Sequence, residues 1–312
     1  SMIGFAALSH LGLIDSSKTL YAGNRFMWLS SSVGGLMFGY GMVMASGCGN
    51  KTLVRIGAGN LKSLVVFLVL GLSAFATLKG ITAVLRVNTV DAVSLSMQSN
   101  ANLGTLIASV TGIAYESTNI WAGYVLGVLL VLWVLRHADF WTFENLLASL
   151  GVGALIVLMW WVSGHFGFLP EHPETLEPVY LGTYSGRIEA MSFVAPVAHT
   201  LDWLMFFSDK SKFLTVGVVS VTGVIVGSAV SAVQQKTFRW EGFASVDDLS
   251  QHLIGSALMG IGGVTALGCT FGQGLSGIST LSLNSFAAVA AIVVGAVLSI
   301  RHQVARLERS LA

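Results

Sequence analysis

Residues 34–48 read GGLMFGYGMVMASGC and residues 255–269 read GSALMGIGGVTALGC. At a constant offset of 221, seven of the fifteen positions are identical: Gly34, Gly39, Gly41, Val43, Ala45, Gly47 and Cys48 match Gly255, Gly260, Gly262, Val264, Ala266, Gly268 and Cys269. Chance would give roughly one or two matches in so biased a composition, so the chain contains an internal repeat. Its only two cysteines occupy the same slot of the two copies. Each copy runs into a glycine-rich polar stretch, GNKTLVRIGAGN at 49–60 and TFGQGLSGIST at 270–280.

The surroundings of the repeat say which solvent it folds in. Only 10% of the 312 residues are charged, where a soluble domain carries roughly 25%. Mean hydropathy is +0.77. A soluble chain of this length cannot hide that much apolar surface, so lipid is the expected solvent for much of it. A membrane-spanning helix needs about 20 mostly apolar residues. Phe26–Asn50, Ser63–Leu78, Leu103–Leu135, Asn145–Pro170 and Phe213–Gln235 are candidate runs, and Leu253–Ile300 is long enough to cross twice. Met2–Ile14 is too short to span and reads as the end of a helix, and 80–102 is too polar and irregular to place. Trp28, Trp121, Trp160 and Trp161 suit interfacial belts. Glu116, His165 and His199 stand isolated and read as boundary or loop residues. The expected fold is all-α: one polytopic transmembrane bundle over 1–312, with inverted repeat halves at about 25–135 and 213–302 and broken or re-entrant helices carrying the Gly-Cys loops.

Lysine and arginine set the expected orientation. Arg301, Arg306 and Arg309 in the tail, with Lys236 and Arg239, read as cytoplasmic. The stretch 164–212 reads as a periplasmic loop region, because Glu171, Glu174 and Glu177 lie in it and 164–186 has no lysine or arginine. Lys210 and Lys212 at its far end run against this. A net charge of +1 suggests no nucleic-acid partner, and two cysteines without C-x-x-C suggest neither a disulfide scaffold nor a zinc knuckle. No P-loop, H-E-x-x-H or G-x-S-x-G is present, and no cofactor is implied.

Repeats meeting about a pseudo-two-fold axis place transport sites near the bilayer midplane. Glycines permit close helix packing in lipid, and a break at Gly47-Cys48-Gly49 or Gly268-Cys269-Thr270 would end a helix inside the membrane. The next helix start then offers free amide N–H groups to an anion. Glycine-packed helices without a site would explain the glycines but not the matched cysteines. A thiol is a soft, weak hydrogen-bonding group, suited to holding a solute loosely along a path. Lys51 and Arg55 follow the first break and mark either an ion path or a positive cytoplasmic edge. The second copy has no cation there; Thr270 and Gln273 are its polar groups, lining the path or satisfying backbone.

The runs GMVMASGCGNKTLVRIGAGNLKSLVVFLVLG and LMGIGGVTALGCTFGQGLSG resemble the YeeE/YedE family of bacterial inner-membrane sulfur transporters, a likeness extending from about residue 14 to 302. The resemblance implies import of thiosulfate along a central line of cysteine thiols, Cys48 and Cys269 among them. It also implies work with a small cytoplasmic TusA-like sulfur carrier, YeeD. The family carries a further cysteine in a Phe-Cys stretch near its N-terminus, which this sequence lacks, so a three-thiol relay is not expected from these residues alone. Three other readings remain at this point. A transporter of selenium compounds, sulfite or sulfide would use the same path. A membrane thiol redox protein would pair the cysteines. A structural subunit would have no path of its own.

Overall fold

The computed structural model describes residues 1–97, 99–112, 114–171, 176, 179–209 and 212–311, with backbone alone at Glu116, Ser310 and Leu311. Glu174, Glu177, Lys210 and the Glu116 side chain therefore lie outside the described residues. Among the described residues the helices are α1 (Met2–His10), α2 (Trp28–Met44), α3 (Gly49–Gly57), α4 (Leu61–Lys79), α5 (Ile81–Asn88), α6 (Leu103–Thr111), α7 (Tyr115–Leu135), α8 (Phe143–Trp161), α9 (Ala195–Met205), α10 (Val216–Gln234), α11 (Val246–Thr265) and α12 (Leu283–Leu311). The strands are two-residue pieces, β1 (Arg25–Phe26) antiparallel to β2 (Leu95–Ser96) and β3 (Phe168–Leu169) antiparallel to β4 (Val179–Tyr180). Five stretches are long and apolar enough to cross a membrane: Leu61–Lys79, Ser117–Leu135, Phe143–Phe166, Val216–Gln234 and Leu283–Arg309. Large apolar side chains such as Leu129, Trp133, Leu150 and Val226 point outward along them, as expected where the surrounding medium is lipid. The chain is a transmembrane helical bundle.

It divides into two compact units, the first made of 1–26, 95–191 and 274–286 and the second of 27–94, 192–273 and 287–312. In the first unit, α1 packs on α7 and α8. Trp160 is fully buried there, edge-on to Phe5 at 5.1 Å between ring centroids, and its Nε1–H donates to Ser279 Oγ at 3.2 Å. Trp160 is thus a core residue and not part of an interfacial belt; its indole N–H finds a buried hydroxyl, which removes the need for water. Trp28 and Trp121 are exposed, as a belt requires.

In the second unit, α2 and α11 form an antiparallel pair of unusually close approach. A Cβ added at Gly34 would lie 2.5 Å from the Ala266 nitrogen, and one at Gly255 would lie 2.8 Å from the Ala45 nitrogen. A Cβ at Gly41 would lie 2.9 Å from the Met259 nitrogen, and one at Gly262 would lie 2.5 Å from the Phe38 nitrogen. Each contact maps onto its partner by adding or subtracting 221, which is the signature of a two-fold axis passing between the helices. Gly39 abuts the Ile292 and Ala296 backbone of α12, and Gly260 abuts the Leu70 and Ala74 backbone of α4. Here the outer partners are related by an offset of 222. The stretch left unplaced in the sequence contains α5, which turns Ile81, Val84 and Leu85 outward, and β2. His199 lies inside α9, where the sequence suggested a boundary or loop, because α9 begins at Ala195 with proline in its first turn.

Candidate functional site

Helices α2 and α11 end in the same way. The Ala45 and Ala266 amides donate to the Gly41 and Gly262 carbonyls, Ser46 and Leu267 to Val43 and Val264, and Gly47 and Gly268 to Met42 and Gly263. Ser46 and Leu267 adopt φ of 59° and 58°, the left-handed conformation that closes this type of helix end. Holding a non-glycine residue there costs about 1–2 kcal/mol, and the cost is met twice. The chain then reverses, and each cysteine begins a new helical segment. Cys48 is the N-cap of α3, and its carbonyl accepts from Thr52 at 3.0 Å. The Cys269 carbonyl accepts from Gln273 at 2.7 Å.

The two segments then diverge by one residue. Between Cys48 and Asn60, the N-cap of α4, the interval is 60 − 48 = 12 residues, and between Cys269 and Ser282, which precedes α12, it is 282 − 269 = 13. Gly272–Gly277 is a π-helix, the form that accommodates one extra residue within helical geometry. Beyond it the offset is 222: Gly59 bonds Ile56 as Leu281 bonds Ile278, and both Gly59 and Leu281 have positive φ. The insertion keeps α12 in register with α4 around the axis.

The cysteines differ in setting. Cys48 is half-buried and Cys269 is buried, and neither forms a disulfide. The Cys269 sulfur accepts from the Gly272 amide at 3.3 Å and lies 4.0 Å from Ser192 Oγ. Phe193 reaches the first loop too, since a Cβ at Gly49 would sit 3.2 Å from its carbonyl. The segment 192–193 thus contacts both cysteine loops. Its contribution is largely through backbone groups, which leave no side-chain signature in a sequence. Gln273 is fully buried and donates its Nε2–H to the Ala266 carbonyl, tying the loop to its own helix end. Gly268 lies against it, with 3.2 Å between an added Cβ and Gln273 Cγ. Thr270 is half-buried.

Lys51 is exposed, and its aliphatic stem lies over Gly47. Arg55 Nη1 donates to the Ser46 carbonyl at 3.0 Å. Beside this loop a polar cavity of about 150 Å3 is lined by Ser46, Arg55, Asn60, Lys62, Ser63, Glu241, Asp248 and His252. Lys62 pairs with Asp248 at 2.8 Å, and Asn60 donates to Glu241 at 2.5 Å. The second loop has no cation of its own, but the helix end that leads into it has one beside it. Arg86 of α5 places Nη1 3.5 Å from the Val264 carbonyl. It was missed because the chain separates it from Cys269 by 183 positions, 269 − 86.

The arrangement offers soft thiols and helix-start amides at two breaks inside a glycine-packed helix pair. It can solvate a small anion with a polarisable end, and among the described residues no cluster of ligands suits a metal. Comparison with known proteins agrees in kind. Residues 1–298 match the family model described as sulphur transport. The thiosulfate transporter TsuA of Spirochaeta thermophila is 27% identical over 312 aligned positions, covering 94% of this chain and 82% of the relative. The thiosulfate transporter TsuA of Escherichia coli is 25% identical over 283, covering 88% and 74%.

Proposed function

The chain belongs to the sulphur transport family, and from that premise we propose that it imports thiosulfate across the bacterial inner membrane, passing the anion from Cys269 to Cys48. The observation that carries the proposal is the duplicated helix break, in which each cysteine begins a helical segment at one end of an antiparallel pair.

The packing of the helix ends supports this order of the thiols. Gly34 meets Ala266 and Ala45 meets Gly255, so the two helix ends stand eleven residues apart along α2, about 16 Å of axial rise. The Cys48 loop lies at the end of the pair where α11 begins. Arg55, Lys62 and Arg306 gather there, Arg306 pairing with Asp247 of α11 at 2.8 Å. Positive residues favour the cytoplasmic side, which supports a cytoplasmic position for the C-terminal end of α12 and the cavity beside Arg55. Cys269 is then met first from outside, and the cavity is the exit. Lys51 and Arg55 edge that exit, while Gly47, Gly49, Gly268, Thr270 and Gln273 shape the two turns.

A divalent anion loses tens of kcal/mol of hydration on entering a low-dielectric interior, and helix-start amides offset part of that loss. The thiols hydrogen-bond the terminal sulfur weakly enough to release it, as conduction through successive sites requires. No covalent bond to the substrate is needed. A small TusA-like carrier at the cytoplasmic face would receive the sulfur. The test is uptake of labelled thiosulfate by cells whose growth depends on it. Cys48→Ala and Cys269→Ala should each abolish growth at low thiosulfate; growth equal to the parent's would refute the relay.

A further inference from the structure

We infer that Arg86 captures the incoming anion at the outer entrance to Cys269, with Asp91 holding its guanidinium until a substrate dianion takes the carboxylate's place; this rests on the transport reading above. Arg86 Nε lies 3.0 Å from Asp91 Oδ2, and the two side chains remain 18% and 22% exposed. The pair is therefore neither sealed in the core nor free in water. Asp91 in turn accepts from Ser30 Oγ at 2.5 Å, and that hydroxyl is also 2.8 Å from the Thr265 carbonyl. Arg86 Nη1 approaches the Val264 carbonyl at 3.5 Å. The ion pair thus sits on the last turn of α11, four to five residues before Cys269.

Its carrier suits an entrance. α5 is eight residues long and turns Ile81, Val84 and Leu85 outward, the face of a helix lying along a membrane interface. Arg86 and Thr82 share the opposite face, Thr82 Oγ1 standing 2.9 Å from Thr77 Oγ1 of α4. An interfacial helix presenting an arginine inward, against the last turn of the helix that leads to the buried thiol, is placed where an anion would leave water.

The chemistry assigns a division of labour. A guanidinium is a rigid fork that binds two oxygens of a carboxylate or oxyanion side by side. Thiosulfate offers the same geometry through its sulfonate oxygens, with one more negative charge than Asp91 supplies. Its terminal sulfur, which the fork does not match, is left for Cys269. Recognition of both ends favours an oxyanion carrying a terminal sulfur over one without it.

The test uses the purified chain in liposomes, with initial rates of labelled thiosulfate uptake measured against concentration and normalised to protein inserted. Arg86→Gln should raise the half-saturating concentration roughly ten- to hundredfold, the worth of a charge-assisted hydrogen bond, with a smaller change in maximal rate. Arg86→Lys, which keeps charge without the fork, should fall between and serves if the glutamine variant does not insert. Asp91→Asn should lower the half-saturating concentration by freeing the guanidinium. Shifts of the same sign in Arg86→Gln and Asp91→Asn would mark the pair as a staple for α5 and overturn the inference, as would a half-saturation within about twofold of wild type in both Arg86 variants. Wild-type liposomes that take up no thiosulfate would refute the transport reading itself, and the capture role with it.

Discussion

Adding one methyl group at the axis of the α2–α11 pair tests the architecture most directly. Gly262→Ala puts a Cβ 2.5 Å from the Phe38 nitrogen, 2.6 Å from the Gly34 carbonyl oxygen and 2.9 Å from Met37 Cβ. Ordinary contact begins near 3.4 Å, so the helices must separate by 3.4 − 2.5 = 0.9 Å. Two of the three clashing atoms are backbone, which cannot rotate away. Overpacking of this kind costs about 1–3 kcal/mol. At roughly 2–4 °C per kcal/mol for a unit of this size, the melting temperature should fall by several degrees. Gly34→Ala, on the far side of the same contact, meets Ala266 backbone at 2.5 Å and should cost a similar amount. Because both substitutions are relieved by the same separation, their combination should cost less than the sum. Gly227→Ala is the control: nothing lies within 4 Å of its Cβ, and replacing a helical glycine there should stabilise by about 0.5–1 kcal/mol. The assay is thermal unfolding of the purified protein in one detergent. Melting temperatures for Gly262→Ala and Gly34→Ala as high as for Gly227→Ala would refute the close antiparallel pair, and with it the placement of the cysteine loops.

Three further outcomes are expected. Ser46→Gly should raise the melting temperature by the equivalent of roughly 0.5–1 kcal/mol, because it relieves an exposed residue held at φ 59° at the cost of some chain entropy; a lowered value would show that the serine side chain matters more than its backbone. Gln273→Leu should destabilise by about 1–3 kcal/mol, leaving the buried Ala266 carbonyl without its side-chain donor, and should slow thiosulfate uptake; unchanged melting would count against the tie. Deleting Leu275 should convert the π-helix to α-helix and turn α12 by about 100° against Gly39, so that little protein reaches the membrane; normal amounts by quantitative immunoblot would show the insertion to be dispensable.

The axis, the breaks and the two thiols were legible because a duplicated run compares the chain with itself. Identical residues at Gly34/Gly255 and Gly41/Gly262 are the residues that touch across the pair, so the strongest sequence signal and the closest packing coincide. Other features were hidden for physical reasons. The extra residue of Gly272–Gly277 changes the offset within a stretch of low identity, where a shift of one cannot be distinguished from divergence. α5 is too short to span a membrane and its apolar face follows helical spacing for only two turns, so 80–102 gave no readable period. Arg86 reaches the last turn of α11 through tertiary packing, which adjacency in sequence cannot report. Trp160 was misplaced because an indole serves equally in a belt or a core, and only the Ser279 hydroxyl decides between them.

The departures from symmetry bear on direction. A strictly two-fold site would offer an anion the same chemistry from either face, and nothing in its binding groups would distinguish entry from exit. This chain keeps the fold symmetric, through matched helix ends and an insertion that restores register, while making the two thiols different. Cys269 is buried and its sulfur accepts from the Gly272 amide; Cys48 is half-buried and has a charged polar cavity beside its loop. Arg55 lies on the segment that Cys48 begins, whereas Arg86 comes from α5, outside the matched run. In the proposed path the dry, amide-lined thiol is met first, where binding must compensate for lost water. The more open thiol is met second, where release into a polar cavity restores solvation. In that reading the symmetric scaffold supplies two like helix breaks, and the asymmetric side chains around them give the proposed stations an order.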